Sequence, residues 1–282
     1  MKKYDVINYH VTNRCNYHCV YCFGKFPGQN EPSPAEAETV IDNICAYFKE
    51  QNILNGRINF AGGEPLLYPH LDELIDYAHS LGISVSLVTN GSLLTAERIR
   101  RWCGKVSCIG ISIDSVCPET DREIGRCCKG QIVPMSHWAE LAPIIHQCGI
   151  KLKINTVVSA LNDTEDLSPL YTAWKPDRIK LFQMHLVRGV NDRAENLQIS
   201  EDKFDAFVQR HSAFSSVIVP EPCKSMENSY LMINPDGCFQ LNNGGKYEIL
   251  GDCKTTSLSE IIRRVPLDAD KFDARYTQEV EK

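Results

Sequence analysis

Hydrophobic positions follow two different periods along the first two-thirds of the chain. Short apolar runs such as Val6–Val11 are typical of strands, and between them apolar residues recur every three or four positions, as in helices. Before one helical stripe, Ser33 and Glu36 have the spacing of a capping box. The predicted strands are Val6–Val11, Arg57–Phe60, Ser84–Val88, Cys108–Ile113, Lys151–Val158 and Ile179–Met184, and the predicted helices are Ser33–Gln51, Leu71–Leu81, Ala96–Cys103, His137–Gln147 and Asp166–Ala173.

This repeated alternation of strand and helix predicts an α/β fold with parallel strands and helices outside them. A doubly wound sheet and a partial (β/α)6 barrel both satisfy the pattern. The alternation ends near Leu186, after which Glu201–His211 is helical and Tyr230–Leu241 has the pattern of a hairpin. We therefore expect a barrel in residues 1–185, a C-terminal α/β extension closing its mouth in residues 186–282, and a mobile segment in the last 15 residues.

Charge and composition limit the possible partners. The 282 residues carry a formal net charge of −6, which argues against a general nucleic-acid surface. No run of 18 apolar residues occurs, so no membrane span is expected. The first residues lack the apolar core of a signal peptide. We predict a cytoplasmic protein without nucleic-acid or membrane partners.

Thirteen cysteines are many for such a chain, and their odd number makes a disulfide framework a poor explanation. Cysteines on apolar faces are expected in the core, namely Cys45, Cys103, Cys108 and Cys148.

The compact group Cys15, Cys19 and Cys22 directly follows the first predicted strand, with the spacing C-x3-C-x2-C. Three thiolates on one loop can hold three irons of a cubane and leave the fourth iron for another ligand. A zinc site completed by His10 or His18 has the same appearance. Spacing alone leaves both open.

A second motif lies at the end of the second predicted strand, where Gly62 and Gly63 allow a ligand to approach the backbone closely and Glu64 and Pro65 follow. Together with Tyr21 in the cysteine loop, it resembles the signature of the radical S-adenosylmethionine (SAM) superfamily. More segments, in the same order, resemble the viperin-like family of these enzymes: Asn8–Cys19, Ile58–Pro65, Val88–Leu93, Ile111–Ser115, Ile124–Arg126, Lys153–Asn155, Lys180–Gln183 and Asn228–Leu231.

The resemblance implies a partial (β/α)6 radical SAM barrel and a lyase with an antiviral role. Such an enzyme converts a ribonucleoside triphosphate (CTP, UTP or GTP) to its 3′-deoxy-3′,4′-didehydro analogue, with electrons from a donor such as flavodoxin or ferredoxin. It also implies a [4Fe–4S] cluster on the three cysteines and a catalytic Tyr230. The implied cofactor-binding residues are Tyr21, Phe23, Gly62, Gly63, Glu64, Pro65, Asn90, Ser112 and Asn155.

The residues also give a separate argument for an anionic substrate. In Lys151–Val158, the apolar residues alternate with Lys153 and Asn155, so that these two point away from the helices and into the barrel. Lys180 lies in the next strand. Positive charges that converge inside the barrel repel one another unless an anion lies between them. Each lysine alone could instead face solvent or pair with a carboxylate. The resemblance implies triphosphate contacts at Arg57, Arg126, Lys153 and Lys180.

Two alternatives remain at this stage. The first is a GTP-cyclising radical SAM enzyme, whose second cluster would use Cys223, Cys238 and Cys253. The second is a non-catalytic zinc-binding or iron–sulfur protein.

Overall fold

A computed structural model describes residues 3–24 and 30–276. The described strands are β1 Val6–His10, β2 Arg57–Ala61, β3 Ser84–Thr89, β4 Val106–Ser112, β5 Lys151–Val158, β6 Arg178–Gln183, β7 Ile218–Glu221, β8 Met232–Ile233, β9 Cys238–Asn243 and β10 Lys246–Asp252. The described helices are α1 Pro34–Glu50, α2 Leu71–Ser80, α3 Ala96–Arg101, α4 Pro118–Ile124, α5 Met135–Gln147, α6 Ser168–Trp174, α7 Glu201–Arg210, α8 Cys223–Met226, α9 Leu258–Arg263 and α10 Ala269–Tyr276.

The chain forms two compact units. Unit 1 comprises the described residues of the segments 1–14, 24–86 and 225–282, with strands in the order β10-β9-β8-β1-β2-β3. Strand β1 is parallel to β2 and β8, and β9 is antiparallel to both of its neighbours, β8 and β10. The predicted capping box begins α1, where the Glu36 carboxylate accepts from the Ser33 backbone and the Ser33 hydroxyl accepts from the Glu36 backbone.

Unit 2 comprises segments 15–23 and 87–224, and its strands β4, β5, β6 and β7 follow one another in that order. Strands β4 to β7 are parallel to one another. Leu152 and Ile154 are fully buried on the apolar face of β5, and helix α5 packs against this strand. The opposite face of β5 carries Lys153 and Asn155, as predicted from the alternation.

The six predicted strands and five predicted helices of the βα series are all present, within a few residues of their predicted ends. Helix α4 and the parallel strand β7 are additional elements that were not among those predicted. The two compact units do not test the predicted domain boundary near residue 186, which stays a prediction.

Three local predictions are wrong. Within the last 15 residues, 269–276 form α10, whose Phe272 packs edge-on against Tyr4 at 4.9 Å between ring centroids; 277–282 lie outside the described residues. Tyr230 precedes the hairpin strand β8 instead of lying in it. Cys103 is exposed and forms a disulfide bond with Cys148, with 5.0 Å between their Cα atoms. Helix α3 ends two residues before Cys103, and this exposes its side chain.

Among the described residues, no helix is both long enough and apolar enough to cross a lipid bilayer.

Candidate active site

The cysteine loop, Cys15–Phe23, belongs to unit 2 and is fastened to the end of α4. The His18 amide donates to the Gly125 carbonyl at 3.1 Å, and the Val20 amide donates to the Ile124 carbonyl at 2.9 Å. Gly125 has a φ of +86°, and a Cβ there would lie 2.5 Å from the His18 carbonyl oxygen. The close approach of these two backbones therefore requires glycine.

All three cysteines of this loop are partly exposed. Burial raises the pKa of the Cys19 thiol to about 12, Arg126 opposes this rise, and Cys22 and Cys15 add to it. The three sulfurs are thus close enough to influence one another. In a cubane each cysteine binds a different iron, so the donor set and its placement on one loop fit a [4Fe–4S] cluster. No group of three or more His, Cys, Asp or Glu is arranged around a single metal-ion position within residues 3–24 and 30–276.

The two glycines after β2 lie against residues 12–14 of unit 1. The Gly63 amide donates to the Thr12 carbonyl at 2.7 Å. A Cβ on Gly63 would lie 2.3 Å from the Arg14 carbonyl oxygen, and one on Gly62, whose φ is +152°, would lie 2.5 Å from the Thr12 carbonyl oxygen. Both positions exclude a side chain, which explains the glycine pair that the sequence shows.

Glu64 and Pro65 continue this turn into a short 3-10 helix. The Glu64 carboxylate is fully buried and accepts from the Leu66 amide at 3.0 Å. Pro65 occupies the first helical position. The Glu64 side chain is therefore held in one orientation.

A cavity in unit 2 brings together three residues that were predicted at separate points of the sequence, namely Asn90, Ser112 and Arg126. It contains about 270 Å³ of atom-free space, part of it open to solvent. The remaining lining residues are Tyr17, Ile113, Asp121, Ile132, Val133, Met135 and Trp138. The sequence assigned none of these a role. Ile132 and Val133 lie between α4 and α5, and Met135 and Trp138 lie in α5, where no motif is recognisable.

A buried acid holds Arg126, one of the residues that line this cavity, in place. Its guanidinium forms an ion pair with Asp114, which is 1% exposed and also accepts from the Tyr21 hydroxyl at 2.6 Å. Burial lowers the pKa of Arg126, but Asp114, Cys19 and Tyr21 together outweigh burial, and this pKa lies well above its ordinary value. Arg126 is therefore a permanent cation with a fixed position. Tyr21 is buried in this network, whereas Phe23 is 37% exposed.

A second cluster of polar residues lies on the face of the unit 2 sheet that Lys153 and Asn155 share. In the strand register, Lys153 pairs with Arg178 and Asn155 pairs with Lys180. A Cβ on Gly110, in β4, would lie 2.6 Å from Lys153 Cε, so the absence of a side chain at this position leaves room for the lysine. Parallel strands in register project paired residues to the same face. Arg178 therefore lies on the same face as the predicted cations Lys153 and Lys180. Its position two residues before Lys180 in the same strand is the sequence feature that could have indicated this.

Lys180 has a buried partner. Its Nζ lies 2.8 Å from Glu221 Oε1, and the two residues are 3% and 1% exposed. Of the two readings that the sequence left open for this lysine, the structure shows a carboxylate pair. The Asn155 side chain is also buried, and its Oδ1 has no hydrogen-bond partner among the described residues.

Tyr230 and Arg57, the remaining predicted residues, both lie in unit 1. The Arg275 guanidinium lies 3.6 Å from the centroid of the Tyr230 ring and donates to the Ser225 and Ser229 carbonyls. Arg275 therefore fixes the segment that carries Tyr230. The Arg57 guanidinium lies 5.9 Å from the Tyr276 ring centroid.

Comparison with known proteins identifies the family of this chain. Residues 9–165 match the family model described as Radical SAM superfamily. A protein of Selenomonas ruminantium named S-adenosylmethionine-dependent nucleotide dehydratase is 32% identical over 281 residues, which cover 96% of this chain and 98% of that protein. An Oncorhynchus mykiss protein named S-adenosylmethionine-dependent nucleotide dehydratase RSAD2 is 31% identical, over 81% of this chain and 66% of its own length.

The fold agrees with solved structures as well. The crystal structure of Streptococcus suis SuiB bound to S-adenosylmethionine matches with a TM-score of 0.71 at 15% identity, over 96% of this chain and 67% of that one. The predicted partial radical SAM barrel and the resemblance to the viperin-like family are both confirmed. The chain belongs to the radical SAM superfamily and, within it, to the family of S-adenosylmethionine-dependent nucleotide dehydratases.

Proposed function

We propose that this protein is a radical SAM nucleotide dehydratase that acts on a ribonucleoside triphosphate and forms its 3′-deoxy-3′,4′-didehydro analogue. The observation that carries the proposal is the group of cations Lys153, Arg178 and Lys180 on one face of unit 2, in strand register beside Ser112 of the cavity. Cations at three positions on one face of the sheet favour a polyanionic ligand.

The cofactors of this family are a [4Fe–4S] cluster and SAM. When bound, they supply an electron and a 5′-deoxyadenosyl radical, which removes the hydrogen from the ribose 4′ carbon. Loss of the 3′ hydroxyl as water then uses one proton, and one further electron completes the double bond between the 3′ and 4′ carbons. An external donor such as a flavodoxin or ferredoxin provides the electrons. The product lacks the hydroxyl that a polymerase extends, which accounts for an antiviral role.

The chain's own residues position these reactants. The resemblance implies a triphosphate contact at Arg126, but we assign the SAM carboxylate to Arg126 and the Ser112 hydroxyl, because Arg126 lines the same cavity as Ser112 and Asn90. The triphosphate is assigned to Lys153, Lys180 and Arg178 on the neighbouring strands.

Asn155 lies between the two groups, in register with Ser112 on one side and Lys180 on the other. Its buried Oδ1 has no partner among the described residues and suits a ribose hydroxyl donor. Arg57 is added to the triphosphate contacts by the family resemblance alone. The Tyr230 hydroxyl, on a ring held by Arg275, is the proposed hydrogen donor late in the reaction. It would supply the one proton and the one further electron, and the external donor would then reduce the tyrosyl radical.

Incubation of anaerobically reconstituted, reduced enzyme with SAM and each of the four ribonucleoside triphosphates tests this proposal. We expect 5′-deoxyadenosine and a product lighter by one water from at least one nucleotide, and neither from a Cys19→Ala control. Formation of 5′-deoxyadenosine without a dehydrated nucleotide from any of the four would refute the assignment of the substrate.

A further inference from the structure

One buried acid of the SAM cavity has no role in the site as described so far. Asp121 lies on α4, is 7% exposed and lines the cavity together with Arg126 and Ser112. Its Oδ1 is buried and has no hydrogen-bond partner within the part of the chain that the structure describes. A buried polar atom without a partner costs free energy, so this oxygen is placed for a ligand.

The charges that face Asp121 decide which protonation state suits that ligand. Arg126 already forms an ion pair with Asp114. Glu165 accepts from the Ser115 hydroxyl at 2.7 Å and acts on Asp121 as a further negative charge, and Tyr17 contributes a neutral phenol. With Asp121 ionised, the buried trio of Arg126, Asp114 and Asp121 has a net charge of −1; with Asp121 protonated, it is neutral.

The pKa of Asp121 is consistent with this sum of charges. Burial raises it to about 7, Arg126 opposes the rise, and Asp114 and Glu165 add to it. Asp121 therefore changes its protonation state near neutral pH.

We propose that Asp121 is a proton-dependent SAM ligand, whose protonated carboxyl group donates a hydrogen bond to the SAM carboxylate, so that SAM binding takes up one proton from solvent. The inference rests on the proposed placement of the SAM carboxylate beside Ser112 and Arg126. An ionised Asp121 would oppose a second carboxylate in the same cavity, whereas a protonated one is a donor.

The proposal fixes the pH dependence of SAM affinity. If only the protonated form binds, the dissociation constant rises about 30-fold between pH 6 and pH 8.5 for a group that titrates near 7. Asp121→Asn keeps a donor and removes the titration. The α-amino group of SAM itself titrates near pH 8, so the comparison between proteins isolates Asp121. Glu123→Gln is the matched control, because it removes an exposed carboxylate from the same helix.

The experiment is equilibrium dialysis of radiolabelled SAM against the anaerobically reconstituted enzyme and both variants from pH 6 to 8.5. We expect the wild-type enzyme and Glu123→Gln to lose about 30-fold more affinity than Asp121→Asn across this range. Calorimetry at pH 8, in buffers of different ionisation enthalpy, should show that the wild-type enzyme takes up about 0.9 proton more than Asp121→Asn on binding SAM. The same difference is expected between Glu123→Gln and Asp121→Asn.

Parallel pH curves for the wild-type enzyme and Asp121→Asn, with SAM bound by both, would overturn the proposal. Loss of SAM binding by Asp121→Asn at every pH would also overturn it, since an ionised acceptor would then be required. If the wild-type enzyme binds SAM but Ser112→Ala and Arg126→Lys leave the affinity unchanged, the underlying placement of SAM is wrong, and this inference falls with it.

Discussion

The buried pair of Lys180 and Glu221 gives a prediction that links stability to substrate binding. Its two charged atoms are 2.8 Å apart, and the residues are 3% and 1% exposed. Glu221→Gln removes the negative charge and leaves the ammonium group buried. Breaking a buried pair from one side costs about 3–5 kcal/mol. For a chain of this size, that loss lowers the melting temperature by on the order of 10 °C.

A bound triphosphate should restore part of this loss. If the phosphates contact Lys180, they supply the negative charge that Glu221 supplies in the free protein. The nucleotide should then raise the melting temperature of Glu221→Gln more than that of the wild-type protein. Differential scanning calorimetry with and without each ribonucleoside triphosphate measures both shifts.

Two further variants serve as controls. Glu195→Gln breaks an exposed pair with Arg188, 2.9 Å apart and more than half exposed on both sides, and should cost less than about 1 kcal/mol. Replacing both buried partners, in Lys180→Met/Glu221→Leu, should regain most of the stability and lose the extra nucleotide effect. Equal nucleotide-induced shifts in the wild-type protein and Glu221→Gln would refute a phosphate contact at Lys180.

Three other outcomes follow from the site. Lys153→Ala should weaken nucleotide binding about ten- to hundredfold in a titration while SAM binding and iron content stay unchanged; unchanged nucleotide affinity would contradict its role. Iron and sulfide analysis should give about four of each per chain in the wild-type protein and in Cys223→Ala, and a loss of both in Cys19→Ala; about eight of each in the wild-type protein would indicate a second cluster. Gly63→Ala forces a Cβ to within 2.3 Å of the Arg14 carbonyl oxygen and should abolish SAM binding in equilibrium dialysis; full binding would show that the turn relaxes freely.

The βα series and the cysteine loop were predictable because each depends on neighbours in sequence. Apolar periodicity places β5 and its two faces correctly, so that Lys153 and Asn155 were assigned to the right side of the sheet. The glycines at 62 and 63 were recognisable because only glycine tolerates the close approach to residues 12–14.

The features of the site that the sequence did not predict depend on contacts between residues that lie far apart in the chain. Glu221 lies on a four-residue strand, 41 positions after its partner Lys180, and no local pattern connects them. Arg275 lies in a charged C-terminal segment that resembles a mobile tail, yet it is 2% exposed and stacks on Tyr230. Asp121 lies in the middle of a short helix, and only its burial in the cavity distinguishes it.

The central claim is that the enzyme abstracts the hydrogen from the ribose 4′ carbon of a nucleoside triphosphate. The most direct test uses the accepted ribonucleoside triphosphate with deuterium at that carbon, reduced enzyme and unlabelled SAM, followed by mass spectrometry of the 5′-deoxyadenosine. Our account predicts one deuterium per 5′-deoxyadenosine, and none when the label is at the 5′ carbon instead. Unlabelled 5′-deoxyadenosine from the 4′-deuterated nucleotide, formed together with dehydrated product, would contradict it.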